Sequence, residues 1–125
     1  MKKEIHFFRC THCGNLITFL EESGAPVTCC GDVMSELKAN VTDAAVEKHV
    51  PVTEKNEDKL TVTVGSTLHP MQEEHFIEWI VCVSGEKVEF RYLNPGDEPA
   101  VEFCGVTSGT VYAYCNLHGL WKAEF

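Results

Sequence analysis

The chain has 125 residues, 44% hydrophobic and 23% charged, the composition of an ordinary folded protein of one or two small domains. Ten basic and nineteen acidic residues leave a net charge of −9, which speaks against nucleic acid or an anionic membrane as partner, since both need a basic face. No apolar run is long enough to span a bilayer. The N-terminal Met1-Lys2-Lys3-Glu4 leads into a polar, Cys-containing stretch instead of an apolar signal core, so the expected location is cytoplasmic.

The unusual counts are seven cysteines and six histidines. An odd number of cysteines without a secretion signal points to metal binding and away from a disulfide framework. The cysteines fall into two groups: Cys10, Cys13, Cys29 and Cys30 early, then Cys82, Cys104 and Cys115 late. His49, His69, His75 and His118 lie outside the first group, so two modules are expected, residues 1–36 and 37–125, with separate metal chemistry.

In the first module Ile5–Arg9 and Leu16–Leu20 read as short strands, and Gly14-Asn15 and Ser23-Gly24-Ala25-Pro26 as turns. So short a piece lacks the apolar residues for a core of its own and needs a staple, a metal or a partner subunit. Cys10-Thr11-His12-Cys13 is a C-x-x-C knuckle and Cys29-Cys30 an adjacent pair. Together they supply four thiolates, enough for one closed tetrahedral site holding zinc or iron. Neighbouring cysteines must strain to reach one ion, and should distort its angles. With four thiolates filling the site, His12 reads as a solvent-exposed knuckle residue, and His6 as surface. The pattern resembles desulforedoxin, a small rubredoxin-like module. That resemblance implies a redox-active mononuclear iron, while the residues alone leave a zinc staple open.

The second module reads as antiparallel β. Leu60–Val64 alternates apolar and polar residues, and Phe76–Val83 is a longer run rich in β-branched and aromatic residues. Ser84-Gly85-Glu86-Lys87 turns into Val88–Tyr92, Asn94-Pro95-Gly96-Asp97 is a further turn, and Val101–Val106 and Thr110–Tyr114 complete the set. Short strands at this spacing, with no convincing amphipathic helix, predict an all-β fold: a small metal ribbon followed by an immunoglobulin-like antiparallel β-sandwich. Trp79, Trp121, Phe90 and Phe103 are expected in the core or lining the site. Cys82 and Cys104 are expected as buried free thiols behaving as small hydrophobes.

The chemistry-bearing segments here are Glu47-Lys48-His49-Val50-Pro51, His69-Pro70-Met71-Gln72-Glu73-Glu74-His75 and Cys115-Asn116-Leu117-His118-Gly119. Proline restricts the residue before it to extended geometry, so these loops are stiff, as a preorganised metal site requires. In this order the segments resemble the iron domain of superoxide reductases, and with the first module they resemble desulfoferrodoxins, the two-iron form. The resemblance implies an iron with His49, His69, His75 and His118 around its equator, Cys115 as axial ligand, and the opposite position left for superoxide. Four neutral imidazoles and one thiolate would leave ferrous iron with a single formal positive charge, a small target for an anion in an acidic protein. Lys48, beside His49, is the expected helper in drawing superoxide in. Glu47 is the carboxylate that the resemblance assigns to the oxidised site.

The implied reaction is one-electron reduction of superoxide to hydrogen peroxide, with a rubredoxin-like protein as donor and a homodimer paired through the first module. A rubredoxin-like electron carrier without superoxide chemistry is the alternative, and it leaves the four histidines and Cys115 unused. One position departs from the family pattern: Ala113 stands two before Cys115, where an acidic residue is common. The backbone amides of Leu117 and His118 are expected to donate hydrogen bonds to the Cys115 sulfur.

Overall fold

The computed structural model describes residues 4–125; residues 1–3 lie outside the described part. The chain forms two compact units, Glu4–Lys38 and Ala39–Phe125. In the first, β1 (Phe7–Arg9) pairs antiparallel with β2 (Leu16–Thr18) on one side and β5 (Ser35–Glu36) on the other, and β3 (Thr28–Cys29) pairs with β4 (Asp32–Val33) as a two-residue ribbon. Phe7, Cys10 and Met34 are its buried residues. The two strands anticipated here are shorter than expected. Both lose residues at the ends away from the cysteines, 5–6 and 19–20, while at the knuckle the Cys10 N–H still bonds to the Asn15 carbonyl at 2.8 Å, in register with the Arg9–Leu16 pair.

The second unit opens with a single helical turn, α1 (Val46–His49), and continues with β6 (Pro51–Asn56), β7 (Lys59–Val64), β8 (Ile77–Ser84), β9 (Lys87–Tyr92), β10 (Ala100–Cys104), β11 (Thr110–Cys115) and β12 (Gly119–Glu124). Two antiparallel sheets result, a three-stranded one in the order β10-β7-β6 and a four-stranded one in the order β12-β11-β8-β9. Three strands against four is the size of a constant-type immunoglobulin sandwich.

The alternation in β7 explains how the sheets close. Leu60, Val62 and Val64 point inward and are fully buried, while Lys59, Thr61 and Thr63 face away. They pack with Phe103 from the same sheet against Ile77, Ile80 and Cys82 of β8 and Val111, Ala113 and Cys115 of β11. Burying one such aliphatic side chain stabilises the fold by roughly 1.5–3 kcal/mol. Cys115 therefore ends the core: its thiol is the last inward group of β11 and has no exposure.

Two strands and the helical turn escape an apolar-alternation reading. In β6 only Pro51 is buried, and an edge strand with one apolar anchor carries no period-two signal. β12 begins on a glycine and mixes buried Leu120 and Trp121 with exposed Lys122 and Glu124. Two expectations are corrected. Cys104 is exposed, because it sits at the end of β10 beyond the last core residue, Phe103; Cys82 is buried, and both are free thiols. Phe90 is likewise exposed, on edge strand β9, where its ring meets Trp79 edge-on at 6.4 Å. Trp79, Trp121 and Phe103 are buried as anticipated.

Candidate metal centres

In the first unit the knuckle Cys10–Cys13 folds under backbone control. The amides of His12 and Cys13 both donate to Cys10 Sγ at 3.4 Å. The Cys13 N–H above all, aided by that of His12, pulls the Cys10 thiol down to a pKa of about 6. From the other side the β3–β4 ribbon delivers Cys29 and Cys30. The Sγ atoms of Cys13 and Cys29 stand 3.6 Å apart. Thiolates about 2.3 Å from a tetrahedral ion stand about 3.8 Å from one another, so the spacing fits.

All four donor sulfurs lie within 4.8 Å of one another. The strain expected of the adjacent pair is visible in the backbone: Cys30 takes the left-handed conformation, φ 54°, and Gly31 follows at φ 84°. For a non-glycine residue that conformation costs about 1–2 kcal/mol. Proximity to Cys13 and Cys10 raises the pKa of both Cys29 and Cys30, so these sulfurs cannot all ionise without a cation among them. His12 is exposed, its Nε2 hydrogen-bonded to Asp32 across the mouth of the cluster, and half-buried His6 bonds through Nδ1 to Glu22 at 2.8 Å.

In the second unit three separate segments meet. α1 ends on His49; the loop after β7 carries His69 and His75; and the β11–β12 hairpin carries Cys115 and His118. Cys115 pairs with Gly119, so Asn116, Leu117 and His118 form a three-residue hairpin loop closed by a glycine at φ 80°. That tight return brings His118 Nδ1 to 3.8 Å from Cys115 Sγ. The amides of Leu117 and His118 donate to the same sulfur, which partly opposes the upward push of burial on its pKa.

The four imidazoles stand in a ring, in the order His49, His69, His75, His118. Neighbouring centroids lie 4.6, 4.7, 5.1 and 4.8 Å apart with planes crossed at 76–88°, and the His49–His75 diagonal is 6.3 Å. Two of the rings have a settled tautomer. His49 Nδ1 bonds to the Ala45 carbonyl and His69 Nδ1 to the Pro70 carbonyl, each at 2.7 Å. A carbonyl oxygen only accepts, so both Nδ1 atoms carry the proton and both Nε2 lone pairs are bare.

Yet those bare nitrogens face each other at 3.2 Å, and His49 Nε2 lies 3.1 Å from His118 Nδ1. His75 Nε2 is buried with no hydrogen-bond partner. Bare lone pairs converging in this way repel unless a cation lies between them. Nitrogens at about 2.1 Å from a common ion stand about 3 Å apart when adjacent, so the residues fit a metal. The donor atoms of His49, His69, His75 and Cys115 lie within 4.8 Å of one another. Burial lowers the pKa of His49 and His75, and that of His69 to about 4, which keeps these imidazoles neutral near pH 7 and ready to ligate.

Sequence reasoning missed the groups that hold these ligands in place. Gly65 lies against the backbone of α1: a Cβ there would stand 2.5 Å from the Glu47 carbonyl oxygen and 3.0 Å from the His49 nitrogen. The Thr67 N–H and the Ser66 hydroxyl both donate to that same carbonyl, at 2.9 and 3.2 Å. His49 and His69 are thus brought together by backbone-to-backbone docking that only glycine permits. Gly65→Ala is expected to destabilise the unit by about 1–3 kcal/mol, as overpacking does, and to loosen metal binding. Urea denaturation of the metal-free chain and a metal titration check both effects. Trp121, expected in the core or lining the site, is a second support: its ring stacks on His49 at 4.8 Å and 28°, and its Nε1–H donates to the His118 carbonyl at 3.1 Å. Glu47 and Lys48 lie exposed on α1, and the Lys48 charge acts on both His49 and His75.

Fold and site together define a two-centre metalloprotein: a four-thiolate ribbon, and an immunoglobulin-like sandwich bearing a ring of four histidines with a buried cysteine. The desulfoferrodoxin family model matches residues 41–124. A desulfoferrodoxin of Clostridium acetobutylicum is 48% identical over 99% of both chains. A superoxide reductase of Pyrococcus horikoshii is 40% identical, covering 62% of this chain and 85% of its own. Among solved structures, the superoxide reductase of Treponema pallidum superposes with a TM-score of 0.79 at 31% identity, covering 97% of this chain and 99% of its own. The chain belongs to the desulfoferrodoxin family.

Proposed function

We propose that this protein is a superoxide reductase: superoxide, one electron and two protons give hydrogen peroxide. The observation that carries the reading is the ring of imidazoles with bare, converging nitrogens beside the buried Cys115 thiol, a donor set for one iron. His49, His69, His75, His118 and Cys115 would hold one iron, which when bound would supply the electron that superoxide takes, drawn in turn from an outside donor.

The chain's own groups do the rest. An imidazole ligates through a bare nitrogen and so brings no charge, which would leave Cys115 as the only charged ligand and the site attractive to an anion. Lys48 adds a positive charge close to His49 and His75. The remote acids that make the net charge −9 are screened beyond about 10 Å at ordinary ionic strength. Glu47, next to Lys48, is assigned the closing of the oxidised site between turnovers. His75 and His118 are the half-buried members of the ring, so solvent and protons reach the site from their side.

The four-thiolate unit is assigned a second iron that holds an electron without being needed for the reaction. A rubredoxin-like donor, a homodimer paired through the first unit and a cytoplasmic location belong to the same proposal. Among the described residues no helix is long and apolar enough to cross a membrane.

The test is metal analysis with pulse radiolysis of the reduced protein. Iron at both sites, fast oxidation of one by superoxide, and hydrogen peroxide formed without dioxygen are expected. Zinc at both sites, or dioxygen released alongside peroxide, would defeat the reading. Lys48→Ala is expected to slow the bimolecular step about tenfold at low ionic strength and to flatten its salt dependence, the signature of lost steering. A rate equal to wild type at low salt removes Lys48 from the mechanism.

A further inference from the structure

The four rings of the histidine site are not held alike. His49 and His69 are each oriented by an Nδ1–H bond to a backbone carbonyl, and His118 is carried on the tight hairpin beside Cys115. The His75 ring makes no hydrogen bond among the described residues, and its buried Nε2 is unpartnered. What holds His75 is therefore its backbone.

That backbone is a small loop closed on itself. The Gln72 N–H bonds to the His75 carbonyl at 2.9 Å, and the His75 N–H bonds back to the Gln72 carbonyl at 3.0 Å. The loop itself is exposed at Gln72, Glu73 and Glu74. One residue ties it down. Asn116 Oδ1 accepts the Phe76 N–H at 2.9 Å, Asn116 Nδ2 donates to the Glu74 carbonyl at 3.1 Å, and the Asn116 backbone N–H donates to the Phe76 carbonyl at 3.2 Å. The two peptides flanking His75 are thus gripped by a single residue, which is itself bonded to Cys115.

We propose that Asn116 is the positioning residue that seats His75 in the metal site, its side-chain amide doing for the loop what a carbonyl does for His49 and His69. The inference rests on the metal-site reading above. A ligand supported only through its loop needs that loop held to within a fraction of an ångström. Asparagine meets the need because one planar amide offers an acceptor and a donor at once. The register follows from adjacency: Asn116 is fixed by the turn that presents Cys115 and His118, so the grip sets His75 relative to two other ligands.

The test uses the full-length chain loaded with cobalt(II), whose visible absorption intensifies as coordination number falls. The four-thiolate centre contributes equally in every variant and cancels in difference spectra. His75→Ala supplies the signature of a site lacking that ring. Asn116→Ala is expected to move the spectrum toward that of His75→Ala and to weaken cobalt binding at this centre about 10–100-fold, the usual cost of losing a ligand's support. Asn116→Asp keeps the acceptor for the Phe76 N–H and loses the donor to Glu74, so an intermediate spectrum is expected.

A wild-type spectrum for Asn116→Ala, even with lowered thermal stability, overturns the proposal. Should Asn116→Ala fail to fold, Asn116→Asp decides: a wild-type spectrum overturns the role, and a shift toward His75→Ala supports it. If His75→Ala itself leaves the spectrum unchanged, the five-donor reading falls first, and the role of Asn116 with it.

Discussion

Cys115→Ser is expected to lower metal affinity at the histidine site by more than about a hundredfold, and superoxide reduction by at least as much. Loss of even a supporting group costs about 10–100-fold, and the proposal makes Cys115 a direct donor. The physical reason is charge. Serine keeps nearly the same volume at a fully buried position, so the fold should survive, but its hydroxyl does not ionise in the accessible pH range. The five donors would then all be neutral, and iron would lose the one ligand whose electron density supports its oxidised state. Burial holds the Cys115 pKa above its ordinary value, so in the metal-free chain the sulfur is a thiol near neutral pH, and metal displaces its proton. The measurement is the thiolate-to-metal absorption of the oxidised iron protein, followed by a metal titration. The four-thiolate centre absorbs in both proteins, so the reading is the wild-type-minus-variant difference, and an empty difference spectrum would remove Cys115 from the site.

Trp121→Ala is expected to have the largest effect on stability, about 3–5 kcal/mol, from the lost transfer energy and the cavity left behind. Folded domains carry only about 5–15 kcal/mol in total, so the variant should be marginal without metal. Trp121 is 1% exposed and touches the site twice, by its stack on His49 and by its N–H to the His118 carbonyl. Loss of the ring frees both imidazoles on the same side of the square, so metal affinity should fall together with stability. Trp121→Phe separates the two contributions, because it restores an aromatic face for His49 while leaving the His118 carbonyl unpaired. Urea unfolding of the metal-free proteins checks the stability, and metal titration checks the site. Equal metal affinity in wild type and Trp121→Phe would show that the carbonyl contact does not matter.

Strands with a clean apolar period are legible in the order of residues alone. β7 shows Leu60, Val62 and Val64 at alternate positions because one of its faces is buried, and Ile77–Ser84 is legible as a central strand because it is buried almost throughout. Edge strand β6 is illegible for the opposite reason: with only Pro51 buried, its residues are chosen by solvent. Cys104 and Phe90 show the same limit. Each is apolar by type, but each stands on a strand end or a sheet edge where the partner surface stops.

The donor types were determined by the chain itself, since neither a C-x-x-C knuckle followed by adjacent cysteines nor histidines clustered in Pro-containing loops with a late cysteine arise readily from packing alone. Their spacing, and the resemblance it carries, announced two metal centres. What only the tertiary structure decided is how the donors face one another. Three segments far apart in sequence bring four rings into a square, through contacts made by residues with no chemistry of their own: Gly65 by having no Cβ, Trp121 by its flat face, Asn116 by one amide turned to two peptides. Ligand identity is a property of single side chains and is legible along the chain. Ligand orientation is a property of distances between segments, and those are set only when the two sheets close on their common core.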